Sequence, residues 1–191
     1  LIADLYSSSS STTVTVSVDC PSPCNPITLV SDVPVTTSTI PTDYKFTNGS
    51  NCTSIVSILP QGNDHDLNIY DEGCRSGNHE VGSSYGGTTN DFVMFYYYNS
   101  DPHYPSVTYG STGSTIVEYE NSSGQMLSVG TAKSGTMTTS EAVDMYEIYL
   151  TEGACYDFNL DITSGGRDLG FAFANPNSST PWKSRSSCTV V

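Results

Sequence analysis

The side chains with the most chemical reach in this sequence are three histidines (His65, His79 and His103), an acidic run (Asp64, Asp66, Asn68 and Asp71) and six cysteines. Histidine acts as a base or metal ligand when a second group stands at a set spacing, as in H-E-x-x-H. A serine nucleophile is announced by a G-x-S-x-G elbow. Neither pattern occurs. Serine is so abundant that a Ser near a His says nothing about a triad, so the histidines read as loop residues of a non-catalytic protein. The acidic run offers oxygen ligands to Ca²⁺, but Ile69 stands where an EF-hand loop needs its turn glycine. On a strand, Asp64, Asp66 and Asn68 share one face while Leu67 and Ile69 point to a core. Solvated strand polarity accounts for them, and no metal or cofactor is expected.

The cysteines point to disulfides. An even number in a chain rich in Ser, Thr, Gly and Tyr suits an oxidising compartment, and zinc is disfavoured because no CxxC pair exists. Cys20 and Cys24 in "CPSPC" would close a small loop. Sequons at Asn48, Asn51, Asn121 and Asn177 predict covalent glycans. Ser7 to Ser11 offers O-glycan sites, or simply a flexible turn. The formal charge of −14 repels phosphate backbones and anionic lipid, which disfavours a nucleic-acid partner. No stretch is long and apolar enough for a membrane-spanning helix. The opening residues lack a charged segment followed by an apolar one, so a secreted form is expected to have already lost its signal. The localisation expected is extracellular or cell-surface.

The elements that hold these residues come in two copies. "DYKFTNGSNCTSIVSILPQGNDHDLNIY" matches "DMYEIYLTEGACYDFNLDITSGGRDLGFAF". Tyr44 falls on Tyr146 and Asp66 on Asp168 at one common offset, and Cys52 falls on Cys155 after a single-residue gap. If each copy keeps its own bridge, Cys52 pairs with Cys74 and Cys155 with Cys188. The repeat also decides between helix and strand for "TTSEAVDMYEIYLTE". Thr138 and Glu141 are spaced like a capping box, but the partner segment contains Pro41 and has no helical period. Tyr146, Ile148 and Leu150 are therefore expected on a strand.

Short strands are predicted near 43–47, 53–59, 66–71, 91–98, 104–109 and 115–120, separated by Gly/Asn/Ser/Pro turns. The fold class expected is all-β, with two tandem antiparallel β-sandwiches at residues 21–122 and 123–191. "DFVMFYYYN" is apolar on both faces (Phe92, Met94, Tyr96 and Tyr98 on one, Val93, Phe95 and Tyr97 on the other), which suits core on one side and a contact or sugar platform on the other. Trp182 is an anchor or core residue near the chain's end.

The second copy lacks a closing hairpin. Its equivalent stands at the opposite end of the chain, where "LIADLYSSSSSTTVTVSVD" aligns with "HYPSVTYGSTGSTIVEYEN" of the first copy. Residues 1–20 are accordingly read as a donor hairpin, with Leu1, Ile2, Leu5, Val14, Val16 and Val18 as its apolar interface.

The sequence resembles the bacterial pre-peptidase C-terminal type of β-sandwich. The residues that carry the resemblance are "HDLNIYDEG" and "RDLGFAFANP", the strand pair "YLTEGACYDFNLDI" and the hairpin "HYPSVTYGSTGSTIVEYE". The resemblance implies an extracellular, non-catalytic module of the sort attached to secreted enzymes. The chain departs from it in its extra cysteines, its split second copy and the lack of a catalytic domain beside it.

A sandwich short of two strands exposes unpaired backbone groups and one side of its core, and an added strand can close it. Burying Val14, Val16 and Val18 would contribute roughly 5–9 kcal/mol gross. Donated to its own chain, the hairpin makes a closed monomer; donated to a neighbour, it makes a head-to-tail polymer of identical subunits. A covalent continuation in a longer array is a third arrangement. The function expected is a filament or pilus-like structural subunit joined by donor-strand complementation. The alternative is a monomeric carbohydrate- or protein-binding module using exposed tyrosines.

Overall fold

The computed structural model describes residues 24–49, 52–75, 80–85, 90–97, 100–110, 113–123, 125–165, 170–171 and 186–187. The donor-hairpin residues Leu1, Ile2, Leu5, Val14, Val16 and Val18 lie outside them, as do Cys20, Asn51, His79, Asn177, Trp182 and Cys188. Among the described residues the chain is all-β. The strands are β1 (Ile27–Thr28), β2 (Val35–Thr37), β3 (Thr42–Thr47), β4 (Cys52–Gln61), β5 (Asp66–Tyr70), β6 (Glu80–Ser84) and β7 (Asp91–Tyr97). They continue with β8 (Pro102–Thr108), β9 (Ser114–Asn121), β10 (Met126–Leu127), β11 (Glu147–Ile148), β12 (Gly170–Phe171) and β13 (Ser186–Ser187).

Two sheets make the sandwich. One has the order β1-β3-β8-β5-β6 and the other β2-β9-β4-β7. Apart from the short parallel β1–β3 contact, their pairings are antiparallel. The period-2 alternation decides which side chains meet between them. Tyr44 and Phe46 of β3, Leu67 and Ile69 of β5 and Val107 of β8 come from one sheet. Val56 and Ile58 of β4, Val93 of β7 and Val117 and Tyr119 of β9 come from the other, and all belong to one buried cluster. The Phe46 ring stacks between His103 and Tyr119, with centroids 5.4 and 4.1 Å away. The registered β3–β8 pairs pass from Asp43↔Ser106 to Phe46↔His103, skipping the stretch of β8 that holds Pro105. Proline has no N–H to give a ladder.

The six predicted strands coincide with β3, β4, β5, β7, β8 and β9. The alternation of Tyr146, Ile148 and Leu150 does not produce the expected strand. Of residues 146–150 only Glu147 and Ile148 pair, in parallel with Met126 and Leu127, and Tyr149 is 77 % exposed. The reason lies just upstream. The backbone N–H groups of Ala142, Val143 and Met145 donate to glutamate side chains on β9, so that stretch is held by carboxylates rather than by a neighbouring strand. Thr138 and Glu141 do bond reciprocally, the Thr138 N–H to the Glu141 carboxylate and the Glu141 N–H to the Thr138 carbonyl, but around a turn and not a helix.

The disulfide pattern also differs from expectation. Cys24 is bonded to Cys74, which replaces both the Cys20–Cys24 and the Cys52–Cys74 pairings. The Arg75 guanidinium grips the Asp43 carboxylate on β3 with two hydrogen bonds of 2.8 and 2.7 Å. That contact carries the neighbouring Cys74 across the sheet to the chain's entry into β1, while β4, which begins with Cys52, belongs to the opposite sheet. Cys155 is exposed and has no sulfur partner among the described residues.

Candidate functional site

Chemistry concentrates on the outer face of β9, a face the histidines and the Asp64–Asp71 run do not share. In "STIVEYEN", Val117 and Tyr119 point into the core, which sends Glu118 and Glu120 to the other side. On an ordinary sandwich that side is solvated. Here it is covered: Glu118 is 0 % and Glu120 4 % exposed. The chain leaves β9, pairs β10 with β11, and lays residues 141–146 back over the strand. Glu118 Oε2 accepts from the N–H groups of Ala142 (2.6 Å) and Val143 (3.1 Å), and Glu120 Oε2 accepts from that of Met145 (2.6 Å). Ala142 and Met145 are buried by the same contact.

A third carboxylate arrives from the turn Val30–Val33, closed by the Val33 N–H on the Val30 carbonyl. Asp32 has a left-handed backbone (φ 62°), a conformation that Asp tolerates better than most residues, and its N–H donates to the Tyr119 carbonyl at 3.0 Å. That bond pins Asp32 beside the residue lying between the two glutamates. One carboxylate oxygen each of Asp32, Glu118 and Glu120 lies within 4.8 Å of the others.

Like charges at such separation, two of them out of water, hold protons tightly. Burial first, then Asp144, Glu118 and Asp32, push the Glu120 carboxyl up to about 8 against the Met145 hydrogen bond. Burial raises Glu118 as well, opposed by its two backbone donors and reinforced by Glu141 and Asp32. Asp144 is raised by burial, Glu141 and Asp32, with Lys133 acting the other way. No lysine or arginine forms an ion pair with Glu118 or Glu120 among the described residues. Lys133 instead bonds Gln125 Oε1 at 2.6 Å and lies over the Tyr146 ring. The arrangement can hold a proton or a hard cation, and it ties three separate stretches of chain together.

The residues singled out from sequence fare differently. His65 and His103 are both fully buried, and His103 is held below the ordinary histidine range, chiefly by burial. Asn68 is not solvated polarity: it is 6 % exposed, donating to Thr108 Oγ1 and accepting from the Tyr85 hydroxyl. Asn48 is 2 % exposed, and its Oδ1 accepts from Ser54 Oγ and from the Tyr119 hydroxyl. A glycan on Asn48 has no room in this fold, which corrects that expectation. Asn121 is half-buried and donates to the Tyr119 hydroxyl. The carboxylate cluster escaped the sequence reading altogether. Its only signal is the i, i+2 pair of glutamates on a strand whose other face is apolar, and that pattern alone normally means solvent.

No protein-family model matches the chain, and no curated protein sequence matches it. Among solved structures, it is similar to the pre-peptidase C-terminal domain of a collagenase from Bacillus anthracis, with a TM-score of 0.43 and 16 % identity. The match covers 53 % of this chain and 99 % of that one. The two-sheet arrangement described above stands on its own ladders and core.

Proposed function

We propose that this protein is a non-catalytic structural subunit of an extracellular filament, in which residues 1–20 of one copy complete the second repeat of the next. The observation that carries the reading is a contrast between equivalent positions. Tyr44 of the first repeat is 0 % exposed within the sandwich core, whereas its counterpart Tyr146 is 37 % exposed. Leu150 and Leu160 are similarly open. This contrast in exposure supports an apolar surface on residues 146–160 that further strands could cover. A hairpin bearing Val14, Val16 and Val18 supplies the missing surface. The Cys24–Cys74 bond supports an oxidising compartment, and the burial of His65 and His103 keeps both from a substrate. Asn51, Asn121 and Asn177 are the proposed glycan sites.

The test is deletion of residues 1–18 followed by negative-stain microscopy. The intact chain forms rods, the truncated chain stays globular, and added hairpin peptide caps the truncated chain at a one-to-one ratio. Intact protein that remains monomeric at high concentration sinks the filament. Tyr85, Tyr109 and Tyr149, each more than half exposed, favour the second reading, a binding module for carbohydrate or protein. Glycan binding retained by the truncated chain would establish it.

A further inference from the structure

We propose that Asp32, Glu118 and Glu120 form a Ca²⁺ site that clamps residues 141–146 onto the outer face of β9. A group of acidic side chains is commonplace on an acidic protein, and proximity alone would not single these out. What does so is the state of Glu118. Its Oε2 is occupied by the Ala142 and Val143 N–H groups, while its Oε1 is buried with no hydrogen-bond donor among the described residues. A buried carboxylate oxygen without a partner costs a large part of its hydration free energy, and native structures seldom leave one so. Here it belongs to a carboxylate already within 4.8 Å of two others. No ammonium or guanidinium reaches it among the described residues. A divalent cation satisfies the oxygen and removes the repulsion in one step.

The donor set selects the ion. All three ligands are carboxylates, with no histidine or thiolate, which favours a hard cation over zinc or copper. Glu118 and Glu120 each keep one oxygen clear of the backbone donors, and Asp32 lies on the exposed side of the cluster, where water can complete a coordination shell of six to eight. Such an irregular, partly hydrated arrangement suits Ca²⁺ better than the near-ideal octahedron Mg²⁺ demands. The site sits where the turn Val30–Val33, the last strand of the sandwich and the start of the second repeat converge. Occupancy therefore fixes how the second repeat leaves the first. This inference stands apart from polymerisation and is tested on the full chain with or without it.

Calorimetric titration with CaCl₂ near neutral pH is expected to show one saturable site, with a dissociation constant of about 10⁻⁵–10⁻³ M. Binding releases protons, seen as a dependence of the heat on buffer ionisation. Glu118→Gln keeps an acceptor for the backbone donors, and Asp32→Asn keeps the left-handed turn. Each is expected to weaken binding at least about tenfold, while Asp66→Asn in the acidic run leaves it unchanged. Ca²⁺ is further expected to slow amide exchange at Ala142, Val143 and Met145. Absence of binding up to about 10 mM, binding indifferent to both substitutions, or equal affinity for Mg²⁺ overturns the assignment. Asp32 is on an exposed turn, so its variant still reports if Glu118→Gln does not fold.

Discussion

At the scale of single residues, the buried polar groups decide most. Glu118 accepts from the backbone N–H groups of buried Ala142 and half-buried Val143, so Glu118→Ala removes both bonds, at about 1–3 kcal/mol for the buried donor and less for the other. Faster amide exchange at 142–145, with the core strands unaffected, is the expected readout; Glu118→Gln retains most of the protection. His103 sets a pH dependence. It is fully buried against Phe46, and burial lowers its proton affinity below that of the unfolded chain. The stability it contributes is complete above its ordinary value of about 6.5 and is lost as pH falls below that. Glu118 and Glu120, raised by burial, push the opposite way, so the comparison must be between proteins. Between pH 7.5 and 5, His103→Phe is expected to lose less melting temperature than the parent. Equal losses would remove His103 from the account.

Elements are held by contacts that tie distant stretches of chain. The Cys24–Cys74 bridge spans 50 residues and encloses β1 to β5. On the chain-entropy view, closing such a loop contributes about 4 kcal/mol. Replacing both cysteines by serine is expected to lower urea stability by about 2–4 kcal/mol, checked by equilibrium unfolding. Asp43→Asn acts on the same junction through Arg75 and Ser106, but the guanidinium is exposed enough that the loss stays near or below about 1 kcal/mol. The strands themselves were readable because alternation survives in β3, β4, β5 and β9. β1, β2 and β6 were not readable: the first two are only two and three residues long, and the "EVGSS" of β6 has no alternation to detect.

The whole molecule spreads its apolar side chains unevenly. Strands β1 to β9 close a two-sheet sandwich over one core, whereas Tyr149, Leu150 and Leu160 are exposed. If the donor hairpin completes a neighbour, Val16→Asp places a charge in the middle of the donated face and is expected to abolish rods in micrographs without lowering the stability of the first sandwich. Loss of rods together with loss of that sandwich would point to a fold defect instead.

The local pattern of side chains determined by itself the all-β class, six of the main strands and the inward direction of Leu67 and Ile69, because a period of two carries burial information along one strand without reference to the others. Tertiary structure alone decided that Cys24 meets Cys74, that Asn48 is a core hydrogen-bonding group and not a glycan site, and that Glu118 and Glu120 are buried. Each of these depends on a segment far along the chain arriving at a strand's outer face or end. A strand's alternation records which side of it faces the core; it holds no record of what later covers the other side.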